Sequence, residues 1–393
     1  MQTNGHARHF RSRFVEYFLG YANLHASPTP EDYEALEREK DNVLYAIDLA
    51  AGNGDWKSVL KMRSALEQFL GVHGYWEDAI RTGNQALRAA RELGSDDAVS
   101  EFAHNLGTIY YGRGELDEAR SLYNESLEIS NRLGDQNGIA TTLHQLAMLE
   151  HDRGEIDEAR RLYNECMEIG RKLGDQNNIA GSLHQLAVLA QEQGEIAEAR
   201  RLYNESMGIV TKTGDQLGIS ISLHQLGRLS EDEGDSDEAR RLYNESLQIK
   251  KRLGDQRGIA ASVHQLAMLL QRRGEIDEAR QLYNESLDIE KKLGNQSGIA
   301  SSLHQLAMLE HGTGASDQAR RLYNESLEIK KKLGNQLGIA ITLGQLGNLA
   351  EDEGDNVEAA RLFGEALVIF EKLKSPNADI ARQSLARVKG ESS

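Results

Sequence analysis

Residues 134–174 read GDQNGIATTLHQLAMLEHDRGEIDEARRLYNECMEIGRKLG. Ile139, Leu143, Leu146 and Leu149 follow an i, i+4, i+7, i+10 spacing, which predicts a helix over about 136–151 with one apolar stripe. Ala159, Tyr163, Cys166, Ile169 and Leu173 predict a second helix over about 157–173 with its own buried face. Gly154 and Gly174 punctuate the two. Glycine takes the left-handed conformation that ends one helix before another begins. The stretch is a helical hairpin, and its small residues Ala147 and Ala159 let the two helices approach closely.

Working outward, the glycines stand every 20 residues from Gly134 to Gly354. Two such intervals make a repeat of 40 residues. Tyr163 recurs as Tyr123, Tyr203, Tyr243, Tyr283 and Tyr323, then as Phe363. Ala159 recurs as Ala119, Ala199, Ala239, Ala279, Ala319 and Ala359. The same register runs back to Gly54, Gly74, Ala79 and Gly94. Eight units are expected: 55–94, 95–134, 135–174, 175–214, 215–254, 255–294, 295–334 and 335–374. Their first helices open on Asp55, Ser95, Asp135, Asp175, Asp215, Asp255, Asn295 and Asn335, all good N-caps. Ser375 repeats that signal with Pro376 behind it, so a closing helix is expected over about 376–389. Lysines and arginines such as Lys250, Lys251, Arg252 and Lys330–Lys332 gather at the ends of second helices, where they suit the helix dipole. A lone hairpin cannot bury both faces, whereas stacked hairpins can, so an all-α solenoid follows. Gly344, Phe363 and Gly364 mark 335–374 as the less regular terminal unit.

Composition narrows the function. The 393 residues carry 45 Lys+Arg and 62 Asp+Glu, a formal charge of −17. That charge repels phosphates and anionic membranes, so no nucleic-acid or membrane partner is expected. No run approaches eighteen apolar residues and no signal core opens the chain, which fits a cytoplasmic protein. The single cysteine, Cys166, allows no disulfide framework. It aligns with Ser126, Ser206 and Ser246 on the packed side of the second helix, a core place and not a nucleophile's. Only Pro28, Pro30 and Pro376 occur, so nothing breaks a helix from 31 to 375. No G-x-S-x-G, H-E-x-x-H or G-x-x-x-x-G-K-[ST] pattern is present, so no enzyme activity and no cofactor are expected.

Leu143, Leu146, Ala147, Gly154, Ala159, Tyr163 and the small residue at 166 together resemble the tetratricopeptide repeat signature. The resemblance covers about 55–374 and recurs at one period. It implies a right-handed α-solenoid superhelix. The 40-residue length and the Leu-Gly-Asp-Gln linker are most similar to kinesin light chain repeats, and similar repeats occur in prokaryotic STAND (NB-ARC) signalling NTPases. His6–Phe10 and Glu37–Ile47 resemble the segment that joins the NTPase module of those proteins to its repeats. Residues 1–54 then read as a capping helical pair around Pro28 and Pro30, and 375–393 as a C-terminal cap and tail.

One column stands out on the first helices. His104, His144, His184, His224, His264 and His304 share a place, followed by Asn105, Gln145, Gln185, Gln225, Gln265 and Gln305. The resemblance puts both positions on a concave groove, where related families carry asparagines that hold a peptide backbone. An amide both donates and accepts, so a column of them can grip a main chain without reading its sequence. Three readings stay open: solvated and idle, bonded laterally between helices, or in contact with a ligand. One turn on, Met148, Arg228, Met268 and Met308 vary between copies, and specificity belongs where copies differ. Then come Tyr111, His151, Gln191, Glu231, Gln271, His311 and Glu351, followed by acids such as Asp152, Glu192, Asp232 and Asp352. The expected function is a scaffold or sensor array that binds a neutral to basic extended segment in this groove. The alternative is the ligand-sensing half of a STAND-type signalling system that acts with a separate NTPase or effector. A metal ladder is not expected, because stacked helices lie about 10 Å apart and zinc needs ligands at about 2 Å. The column lies beside acids such as Asp152, Glu192, Glu231 and Asp232, which raise histidine pKa values where burial lowers them, so the histidines are expected to charge as pH falls from about 7.5 to 5.5 and to weaken binding of a basic segment.

Overall fold

The computed structural model describes residues 2–390, with side chains from residue 9 onward. Among the described residues there are nineteen helices and no strand. The first helices are α1 (Gln2–Leu24), α2 (Pro30–Gly52), α3 (Trp56–Val72), α4 (Trp76–Glu92), α5 (Asp96–Gly112) and α6 (Leu116–Leu133). Next come α7 (Gln136–Asp152), α8 (Ile156–Leu173), α9 (Gln176–Glu192), α10 (Ile196–Thr213), α11 (Gln216–Asp232) and α12 (Ser236–Leu253). The rest are α13 (Gln256–Arg272), α14 (Ile276–Leu293), α15 (Gln296–Gly312), α16 (Ser316–Lys332), α17 (Gln336–Asp352), α18 (Asn356–Lys372) and α19 (Asn377–Lys389). The chain divides into two compact units, 1–209 and 210–393, each a stack of antiparallel hairpins. Odd-numbered helices from α3 to α17 are called A, and the even-numbered helices that follow them B.

The punctuation works as its chemistry demands. Gly134 ends α6 at φ 73° and Gly154 ends α7 at φ 81°, both in the left-handed region. Asp55, Ser95, Asp175, Asp215, Asp255, Asn295 and Asn335 each accept an amide of the following first turn through the side chain. Asp135 is the exception and makes no such bond. At the end of the chain Pro376 is the cap itself and not the first helical residue, so α19 begins at Asn377. At the start, Thr29 caps α2 with Pro30 at its first position. Val15, Phe18, Leu36, Val43 and Ile47 of α1 and α2 join the core of the following hairpins.

Each hairpin closes on the tyrosine column. Tyr123, Tyr163, Tyr203, Tyr243, Tyr283 and Tyr323 are fully buried, as are the alanines 119, 159, 199, 239, 279 and 319. A second seam lies beside it. Ser246 Oγ donates to Ser220 O at 2.7 Å and Ser326 Oγ to Ala300 O at 2.7 Å. Cys166 Sγ does the same to Ala140 O at 3.2 Å and also reaches Asn178 Oδ1 at 3.1 Å. The cysteine is buried, as its alignment with serines implied.

Three features depart from the pattern. Leu173 is 43% exposed, because the last turn of helix B has already passed the seam. Lys250 and Lys330 are buried rather than solvated. Lys250 Nζ donates to Ser262 Oγ at 2.9 Å, and Lys330 Nζ to Thr342 Oγ1 at 2.8 Å. Finally, the contact between a B helix and the next A helix trades size across the joint. Gly170 faces Asn178, and a Cβ at Gly170 would lie 3.2 Å from Asn178 Oδ1. At three other joints the larger partner sits on the B helix and glycine on the A helix. A Cβ at Gly138 would lie 2.9 Å from Ser130 Oγ, one at Gly218 would lie 2.8 Å from Val210 Cγ1, and one at Gly258 would lie 3.0 Å from Lys250 Cδ.

Candidate binding face

Within the first unit α5 touches α7 and α7 touches α9; within the second, α13 touches α15 and α15 touches α17. No comparable contact joins consecutive B helices from α6 onward within either unit. The A helices therefore line the narrow, concave side of each unit's own stack.

On that side every histidine of the column lies against the tyrosine nineteen positions on. Ring centroids are 5.2–5.5 Å apart, in tilted or edge-on geometry. The imidazoles are half-buried, and His304 is buried. His104 Nδ1 lies 3.2 Å from Thr142 Oγ1 and His304 Nδ1 lies 3.3 Å from Thr342 Oγ1, each in the next hairpin. Burial disfavours the imidazolium. It lowers the pKa of His104, His144 and His264, and pushes His184, His224 and His304 down to about 4. The charges of Lys250 and Lys330 add to the effect at His224 and His304. The expected charging of the column is thus not met: burial, not nearby carboxylates, sets these pKa values, and His184, His224 and His304 stay neutral between pH 7.5 and 5.5.

The amides that follow occupy the surface beside this layer. Asn105, Gln145, Gln185, Gln225, Gln265 and Gln305 are all half-buried. Asn105 Nδ2 donates to Glu67 Oε2 at 3.3 Å, and Gln225 Oε1 accepts from Arg228 Nη1 at 3.3 Å. Met148, Met268 and Met308 are half-buried and Arg228 is exposed. Met268 and Met308 lean on the cores of their hairpins.

The series that begins at Tyr111 does work not read from the sequence. Two of its members receive buried phenols: Tyr243 OH donates to Glu231 Oε2 at 2.8 Å and Tyr283 OH to Gln271 Oε1 at 2.7 Å, whereas the hydroxyls of Tyr163 and Tyr323 find no partner. Members of the series also reach the next hairpin, 41 positions on. His151 Nε2 lies 2.6 Å from Glu192 Oε2, His311 Nε2 lies 2.8 Å from Asp352 Oδ2, and Arg272 pairs with Glu231. Tyr111 OH donates to Asp152 Oδ2 at 2.5 Å; burial first, and then this bond, push the phenol's pKa above its usual value. The signal was the complementary variation of two columns between copies.

Between α5 and α7 lies a cavity of about 320 Å³ lined by Asp97, Glu101, His104, Asn105, Asp135 and Thr141, among others. Glu101 has its pKa raised, first by desolvation and then by the charge of Glu67. Glu67 itself is already held by Arg63, whose Nη1 donates to its Oε2 at 2.7 Å. Among the described residues no cluster of three or more His, Cys, Asp or Glu could hold a metal ion, and no helix is long and apolar enough to cross a membrane.

The chain matches known proteins in repeat pattern and in fold. The tetratricopeptide repeat profile matches residues 74–132, 99–172, 138–212, 178–252 and 258–332. No curated protein is significantly similar in sequence. Among solved structures, the apo form of the quorum sensor NprR from B. thuringiensis is similar at a TM-score of 0.63 and 16% identity, over 91% of this chain and 98% of that one. A STAND protein with a tetratricopeptide repeat sensor from Pyrococcus horikoshii gives 0.61 and 14%, over 95% of this chain and 64% of its own. A Rap protein complexed with competence and sporulation factor gives 0.52 and 14%, over 83% and 98%. At such identities the likeness is one of fold.

Proposed function

Starting from a chain that belongs to the tetratricopeptide repeat family, we propose that it is a non-enzymatic scaffold whose A-helix face holds an extended peptide or protein segment. The observation that carries this reading is the half-buried amides on each unit's concave side: Asn105, Gln145 and Gln185 in the first unit, and Gln225, Gln265 and Gln305 in the second. They can meet a main chain as donor and acceptor. The histidines beneath them act as packing groups that hold the amides' helix face against the tyrosines, and Met148, Met268 and Met308 offer adaptable apolar contacts. The segment is neutral to basic. The net charge of −17 favours a cationic group on the ligand.

A second reading, a sensor half that acts with a separate NTPase or effector, draws on the fold shared with the STAND protein over 95% of this chain. Pull-downs with and without nucleotide separate the two, since only a sensor half depends on the partner's nucleotide state.

The scaffold reading is tested with Gln145→Ala combined with Gln185→Ala, on a partner mapped by cross-linking. Affinity should drop about tenfold or more, the loss of one or two hydrogen bonds of about 0.5–1.5 kcal/mol each. Melting temperature should stay nearly constant, because the amides are half-exposed. Unchanged binding with a lowered melting temperature would mean the column only braces the stack.

A further inference from the structure

The last A helix breaks the histidine column. Gly344 stands where six earlier A helices carry histidine. Nothing lies within 4 Å of where its Cβ would be. The tyrosine beneath is Phe363, 2% exposed, so the floor has no hydroxyl. The residue that would have met that hydroxyl, Glu351, turns instead to Arg387 at 2.7 Å. On the far side α19 lies across the hairpin. The result is a cavity of about 300 Å³ lined by Ile341, Gly344, Asn348, Phe363, Phe370 and Ile380, among others.

We propose that this cavity is a pocket for an aromatic side chain, offered by the segment that the neighbouring amide face holds. What fills the equivalent space elsewhere defines the occupant. In six hairpins a flat ring sits 5.2–5.5 Å from the aromatic ring of helix B, tilted by 48–69°. Here the floor ring is kept and the covering ring is absent from the chain. A tilted or edge-on aromatic pair is favoured over an aliphatic contact of equal area, and the apolar floor excludes a charged group. The rim is amidic. Gln345 and Asn348 face the opening, with Asn348 Nδ2 donating to Gln345 Oε1 at 3.4 Å, and Asn377 stands across from them. Such a rim suits the peptide groups on either side of one inserted residue. Ile380 is 64% exposed at the lip and forms an apolar edge that a docked ring would cover.

The assignment rests on the proposed function only for the source of the ring; the pocket is tested without any partner. N-acetyl-tryptophanamide and N-acetyl-leucinamide are titrated into the full chain and followed by ligand-observed NMR. The capped tryptophan should bind at millimolar or tighter affinity, and about fivefold or more tighter than the capped leucine. Gly344→His supplies from within the ring found in the other hairpins. It should weaken capped-tryptophan binding about tenfold or more while the melting temperature holds or rises. Ile380→Ser, at an exposed position that the fold does not depend on, should weaken it about threefold or more and serves if the histidine variant misfolds. Absence of binding to the unmodified chain, equal affinity for both capped residues, or unchanged affinity in the variants overturns the proposal. Loss of the pocket would leave the amide face untouched, and failure of the amide variants would leave the pocket.

Discussion

Lys330 is a cation held where a cation is disfavoured. Burial pushes its pKa from 10.5 down to about 8, and its ammonium answers to a threonine hydroxyl, not to a carboxylate. The unfolded chain therefore binds more protons between pH 8 and 10.5, and stability climbs with pH across that window. Lys330→Met should flatten the climb and raise stability at pH 7 by on the order of 1–3 kcal/mol, read by urea unfolding at several pH values. The histidines act at the other end of the scale. His184, His224 and His304 have folded pKa values of about 4 against 6.5 unfolded. Their stabilising contribution is complete above pH 6.5 and lost as pH falls toward 4. His304→Gln should reduce the acid loss by on the order of 1–2 kcal/mol at pH 5. An equal acid slope in both proteins would remove this histidine from the account. The histidine column was visible in the sequence, but its half-burial was not. That depends on how helix B turns its tyrosine toward helix A, nineteen residues away.

At the scale of the element, the glycine grid and the tyrosine column made every hairpin legible, because left-handed caps and a bulky buried ring each have one structural solution. Gly154 shows the cost of changing that solution. It sits at φ 81° in open space, so Gly154→Ala meets no clash yet must hold a left-handed backbone, and should destabilise by about 1–2 kcal/mol. Gly364, inside α18 with nothing near its Cβ position, is the control: Gly364→Ala should stabilise by about 0.5–1 kcal/mol. Thermal unfolding of the pair checks the sign of each. The end of helix B was less legible. A period of 3.6 says which residues share a stripe, but not whether the last turn still faces a neighbour. Leu173 emerged exposed and Lys330 buried for that reason. Their surroundings are set by the following A helix.

For the molecule as a whole, charge is the property that reaches a partner first. The formal −17 gives a basic probe peptide a favourable approach, and that approach is screened by salt. Affinity for a peptide with three lysines should weaken about tenfold between 0.05 and 0.5 M NaCl, while an uncharged analogue changes little. Between pH 7.5 and 6 both affinities should stay within about twofold, since the most strongly shifted histidines remain neutral there. A steep change in that range would point to titrating groups outside the column. The traded sizes at the B-to-A joints bear on a different matter, how a chain of near-copies finds its own order. Any A helix could in principle dock on the wrong B helix, one repeat out of step. Asn178 fits above Gly170 because that place is empty of side chain. Set above Lys250 or Val210, it would collide with the stem or the branched methyls. The joint therefore acts as a key that fits one lock. Exchanging the pair's partners, Gly170→Lys alone, should slow refolding and populate misaligned species, and Asn178→Gly added to it should restore a single refolding phase.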